Sequence, residues 1–177
     1  MGSMPKYAAF LRGVSPMNLT MPALKAVLER AGFSDVRTFL SSGNAVFSAS
    51  ERKPQSLEAK IEDALTRKLG KTFVTFVRPI AMLEAILEAD PYSEFKLPPE
   101  AKRVVTFMRT PYSPAVQRTF GLPIEHDGAR ILTMRDREIY TAYVRSPRGP
   151  VFMTLLEKTF GKDITTRTWE TVKKAVR

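Results

Sequence analysis

The sequence predicts an α+β protein made of two βαββαβ halves. Two observations carry this. Short β-branched or aromatic runs alternate with segments whose apolar residues recur at i, i+3 and i+4, the periods of strands and amphipathic helices. The resulting order reads once over residues 5–90 and, more loosely, again over 102–177. A connector with three prolines, residues 91–101, lies between them. The repeat rests on element order, because the halves share no visible sequence identity.

The first half opens with a strand over residues 6–14, apolar and closed by Gly13. A polar loop, Ser15 to Thr20, precedes a helix that Pro22 starts and Gly32 ends, with Leu24, Val27, Leu28 and Ala31 on one face. Val36 to Leu40 and Ala45 to Phe47 form a hairpin across Ser41-Ser42-Gly43-Asn44. Pro54 opens a second helix with Leu57, Ile61, Leu65 and Leu69 as its stripe, stopped by Gly70. Thr72 to Val77 is the fourth strand, and a helix from Pro79 ends before Asp90-Pro91. Such an order is the ferredoxin-like split βαβ, an antiparallel sheet with helices on one face.

In the second half, Arg103 to Arg109 reads as a strand and residues 113–120 as a short helix. Ile124-Glu125 is extended, and Arg130 to Arg135 pairs with Glu138 to Val144. Pro150 opens a helix that Gly161 closes. Ile164 is a short strand, and Thr165 or Thr166 caps a last helix bearing Trp169, Val172 and Val176.

Composition narrows the chemistry. The chain of 177 residues has no cysteine, which excludes disulfides, thiolate metal sites and cysteine nucleophiles. One histidine, His126, excludes a multi-histidine metal cluster, so no metal is expected. No apolar run approaches ~18 residues and no charged-then-apolar leader opens the chain, so the expectation is a cytoplasmic protein without a membrane span. P-loop, dinucleotide fingerprint, His-Glu-x-x-His and nucleophile-elbow motifs are all missing, so no cofactor is expected. The formal net charge is +10, made of +3 over residues 1–90 and +7 over 91–177. That field favours anionic partners: nucleic acid or a phosphorylated small molecule.

Three stretches occur together. They are Phe10-Leu11-Arg12-Gly13-Val14 followed by Asn18 and Met21-Pro22; Gly32-Phe33 through Val36-Arg37-Thr38 to Ser42-Gly43-Asn44-Ala45-Val46-Phe47; and Thr165-Thr166-Arg167-Thr168-Trp169-Glu170-Thr171-Val172. Jointly they resemble the DUF1697 family, bacterial proteins of unassigned function, from about Lys6 to Val176. The commoner form of that family has a glycine pair where Ser15-Pro16-Met17-Asn18 stands, and asparagine in place of Thr168, so no phosphate-cradling glycine loop is implied. The resemblance implies a paired ferredoxin-like α+β fold and no settled activity.

Seven residues are candidates for ligand contacts. Arg12 enters the first helix, where amides and a guanidinium can hold an anion, or it braces the loop. Asn18 orients a ligand or satisfies loop carbonyls. Ser42 and Asn44 offer polar side chains, or simply serve the hairpin turn. Thr166, Arg167 and Trp169 combine a hydroxyl, a cation and the only tryptophan at a helix start, against a cap and a core indole. In the site so composed, Arg12 and Arg167 sit at the starts of the first and last helices, facing a common hollow. Phe10 and Phe47 invite comparison with the base-stacking strands of RNA-recognition domains, or else pack inward. Arg130, Arg135, Arg137, Arg145 and Arg148 can track phosphates or form a solvated face. The leading expectation is a binding protein for an anionic ligand. Its rivals are an enzyme using Glu, Asp, Tyr140 or His126 as acid or base, and a protein-interaction module without catalysis.

Overall fold

The computed structural model describes residues 2–177. The chain divides into two compact units: one runs to Ala85 and takes in Lys174–Arg177, the other is Ile86–Lys173.

The first unit follows the expected order: β1 (Lys6–Leu11), α1 (Met21–Arg30), β2 (Ser34–Phe39), β3 (Asn44–Ser48), α2 (Pro54–Leu69) and β4 (Thr75–Pro79), with α3 (Ile80–Ala89) following. Its sheet has the ferredoxin-like order β2-β3-β1-β4, every neighbouring pair antiparallel. Thr20 starts α1 by accepting a hydrogen bond at Oγ1 from the Ala23 amide, and Pro22 sits in the first turn where no intrahelical donor is needed. Gly70, left-handed at φ +66°, ends α2. The helix-facing core joins Tyr7, Ala9, Leu11 and Phe47 to Leu24, Leu28, Leu57, Ile61 and Leu65.

Strand alternation turns Ala8, Phe10, Phe76 and Arg78 to the opposite sheet face, and these are fully buried too. Phe47 therefore points to the helices and stacks near Tyr7, while Phe10 points the other way. Neither ring is offered on an open platform, so the base-stacking comparison fails.

At the sheet's β4 edge, α2 supplies what a neighbouring strand otherwise would. Glu58 Oε2 accepts from the Val77 amide at 2.9 Å, and Glu62 Oε1 from the Thr75 amide at 3.1 Å. Two outward-facing donors of an edge strand are thereby occupied, which blunts its capacity to pair with another chain.

In the second unit, Pro91–Glu94 forms one 3-10 turn, followed by β5 (Lys102–Met108), α4 (Pro114–Thr119), β6 (Ile124–His126), β7 (Ala129–Arg135), β8 (Glu138–Tyr143), α5 (Val151–Phe160), β9 (Ile164–Thr168) and α6 (Trp169–Ala175). The order is β6-β7-β8-β5-β9. Without β6 it repeats the topology of the first sheet; β6 is an added edge strand, joined to β7 through Asp127 and Gly128, both at positive φ. Met108, Ile131, Ile139, Leu156, Phe160 and Ile164 form the helix-facing core.

One boundary differs materially from expectation. The run at Ile164 is a full strand through Thr168, paired with β5 from Met108↔Ile164 to Val104↔Thr168. Three β-branched threonines suit a pleated ladder better than a helix start. Neither Thr165 nor Thr166 caps α6; Thr168 does, its Oγ1 accepting from the Thr171 amide.

Candidate functional site

Four of the seven candidates meet at one end of the first sheet. The Leu11 amide donates to the Gly43 carbonyl at 2.9 Å, so the β1–α1 loop and the β2–β3 turn lie side by side. Asn18 Oδ1 accepts from the Ser15 amide and its Nδ2 donates to the Gly13 carbonyl, at 2.9 and 2.8 Å. Asn44 is fully buried and donates to the Phe39 carbonyl and to Ser42 Oγ. Arg12 is half-buried, its amide tied to the Val74 carbonyl. Asn18, Ser42 and Asn44 thus form the internal bracing of two loops.

Gly43 is the tightest point. It stands at φ +88°, and a Cβ there would lie 2.8 Å from Val14 Cγ2. Gly43→Ala is expected to cost about 1–3 kcal/mol, through left-handed strain and displacement of Val14. Chemical denaturation checks it; an unchanged midpoint would show that the turn yields.

The other three candidates belong to the second unit. Thr166 shares a 2.8 Å hydrogen bond with Thr106 across the ladder. Arg167 lies in β9 rather than at a helix start. It is 7% exposed, and its Nη1 donates to Thr165 Oγ1 and the Thr166 carbonyl. Burial pushes its guanidinium down to about 10, which leaves it charged at neutral pH. Trp169 is 5% exposed and meets the Tyr92 ring edge-on, centroids 5.0 Å apart; Tyr92 contacts Tyr140 in the same manner at 5.7 Å. Burial, with the Tyr140 phenol adding, raises the Tyr92 hydroxyl well above the usual phenol range. It stays protonated and donates to the Val104 carbonyl. A solvent-reachable guanidinium and indole at the last helix start are therefore replaced by a buried strand arginine and a core tryptophan. Tyr140 is buried in that aromatic group, while His126 is exposed beside Asp127, whose nearer partner is Arg148 at 2.9 Å.

Among the described residues, two concavities stand out. The smaller, about 250 Å³, lies at the start of α5 and is lined by Asp127, Tyr143, Arg145, Ser146 and Phe152 among others. The larger, about 550 Å³, is a groove between α1 and α2. Its floor is Val27 with the half-buried Ala23, Ala31 and Ala64. Alanines at these positions pack against the core yet are too short to fill the space between the helices. The exposed rim carries Arg30 from α1 and Lys60, Arg67 and Lys68 from α2, against one carboxylate, Asp63. Asp63 pairs with Arg67 at 3.1 Å, but both side chains are largely exposed, so the pair contributes little and yields readily. Lys60 Nζ sits 4.9 Å from the Phe33 ring centroid.

The family described as protein of unknown function, DUF1697, matches residues 4–140. The chain belongs to the DUF1697 family. The match contains the first two of the three motif stretches and the whole α1–α2 groove; the Thr165–Val172 stretch lies beyond it. Among solved structures, this DUF1697 chain is similar to the conserved bacterial protein SP0830 from Streptococcus pneumoniae, with 21% identity, a TM-score of 0.74 and 98% of each chain covered. At that identity the likeness speaks for the fold alone. No curated protein matches the chain. None of the described helices is long and apolar enough to cross a membrane.

The groove was not among the residues nominated from sequence. A signal was present: Lys60, Ala64, Arg67 and Lys68 recur at i, i+4, i+7 and i+8, one helical face. What the sequence lacked was the pairing of that face with Ala23, Val27, Arg30 and Ala31 of α1.

Proposed function

We propose that the protein is a cytoplasmic binding protein for an anionic ligand, and that the ligand lies in the α1–α2 groove. One observation carries the reading: four cationic side chains and a single carboxylate surround an apolar floor in the larger concavity. The chain's net charge of +10 supports it by drawing anions toward the surface. The small hollow at α5 is a weaker candidate, because Asp127 lines it opposite Arg145.

The test is a double charge reversal, Lys60→Glu with Arg67→Glu, assayed against tripolyphosphate and a short oligonucleotide at low and high salt. Each exposed charge contact contributes up to ~1 kcal/mol. Losing two and adding repulsion is expected to weaken binding by about tenfold or more. Affinity of the unmodified protein should fall as salt rises. Binding that survives the double reversal, yet is lost in Arg145→Glu, would move the site to the α5 hollow.

A further inference from the structure

We propose that the natural occupant of this groove is an acidic amphipathic helix of a partner protein. The inference rests on the anionic-ligand reading above and names the ligand's class.

Three features choose a helix over a compact anion or a nucleic-acid backbone. The first is the spread of charge. Lys60 and Arg67 are seven residues apart on α2, so their Cα atoms are separated by roughly 10.5 Å along the axis. A single phosphate group cannot meet both, whereas carboxylates two turns apart on a partner helix repeat at the same distance. Arg30, on α1, stands on the opposite bank, so an occupant must carry negative charge along both flanks.

The second feature is the floor. Val27, Ala23, Ala31 and Ala64 present only apolar side-chain atoms, and Leu69, 39% exposed, adds an isobutyl group at the mouth. A phosphodiester backbone gains nothing from such a floor. A stripe of leucines does, at about 25 cal/mol per Å² of apolar surface removed from water. The third is depth. Short alanine side chains let a third helix approach the first two closely, as ridges-into-grooves packing requires. With α1 ten residues long, or roughly 15 Å, about three turns of a partner fill the groove. Helix-in-groove recognition of this kind reads anchors at i, i+3, i+4 and i+7.

The experiment uses the full chain and four labelled probes in fluorescence anisotropy. One is a peptide of about fourteen residues with a leucine stripe flanked by glutamates. The second has the same composition, scrambled so that its helix has no apolar face. The others are tripolyphosphate and an oligothymidylate. The amphipathic peptide is expected to bind about tenfold or more tightly than its scramble; their charges are equal, so the difference reports the floor. Lys60→Glu/Arg67→Glu should abolish that binding. Ala26→Trp, at an exposed helix position lining the groove, should block the peptide. Equal binding of both peptides, or binding of tripolyphosphate or oligothymidylate alone, would overturn the helix inference and leave the anionic reading intact. Failure of all four probes would overturn both.

Discussion

Trp169→Ala is expected to destabilise the protein by about 3–5 kcal/mol, the usual cost of removing a large buried ring. The indole is 5% exposed and packs edge-on against Tyr92, which in turn packs against Tyr140. Truncation removes the partner of one ring, and the cavity cannot close without moving the hydrogen bond from Tyr92 to the Val104 carbonyl. Trp169→Phe retains an aromatic edge and should lose less than half as much. Because Trp169 is the only tryptophan, unfolding must be followed by far-ultraviolet circular dichroism rather than indole fluorescence. A ligand-stacking indole would behave oppositely: its loss would leave the denaturation midpoint in place.

Glu58→Ala carries the second large effect. The Glu58 carboxylate is 2% exposed and accepts from the Val77 amide on the edge strand β4. Alanine leaves that buried donor without its acceptor, a penalty of about 1–3 kcal/mol, and adds a cavity beneath α2. Glu58→Gln keeps an acceptor oxygen in place and is expected to cost clearly less. The alanine variant should also self-associate, because an uncovered strand edge is a template for pairing. Denaturation curves and light scattering, measured on both variants, separate the two consequences. Equal losses for Ala and Gln would mean that the carboxyl group fills space and does not serve the edge.

Much of the fold was legible in the sequence because its punctuation is local. Pro22 and Pro54 open helices, Gly70 closes one, and the apolar periods of α1 and α2 separate cleanly from the strand runs. What escaped was set by pairing partners. Thr165 and Thr166 look like helix caps in isolation and become strand residues because β5 accepts β9 as its second neighbour. Ile124-Glu125 was readable as extended, but its pairing with β7, which carries the strand on to His126, was not. The site was less legible than the fold. Asn18, Ser42 and Asn44 attracted attention as polar loop residues, yet loops need such side chains to satisfy their own backbone. Arg30 and Lys60 drew none, since exposed helical cations are ordinary until two helices bring them to the banks of one groove.

The central claim, that anions settle between α1 and α2, is tested most directly by following backbone amide resonances of the intact chain as tripolyphosphate is added. Saturable shifts should centre on Ala26, Arg30, Lys60, Ala64 and Arg67, and should vanish in the double charge reversal. Shifts confined to Arg145–Phe152 or to Arg12–Asn18, with the groove amides unmoved, would contradict it.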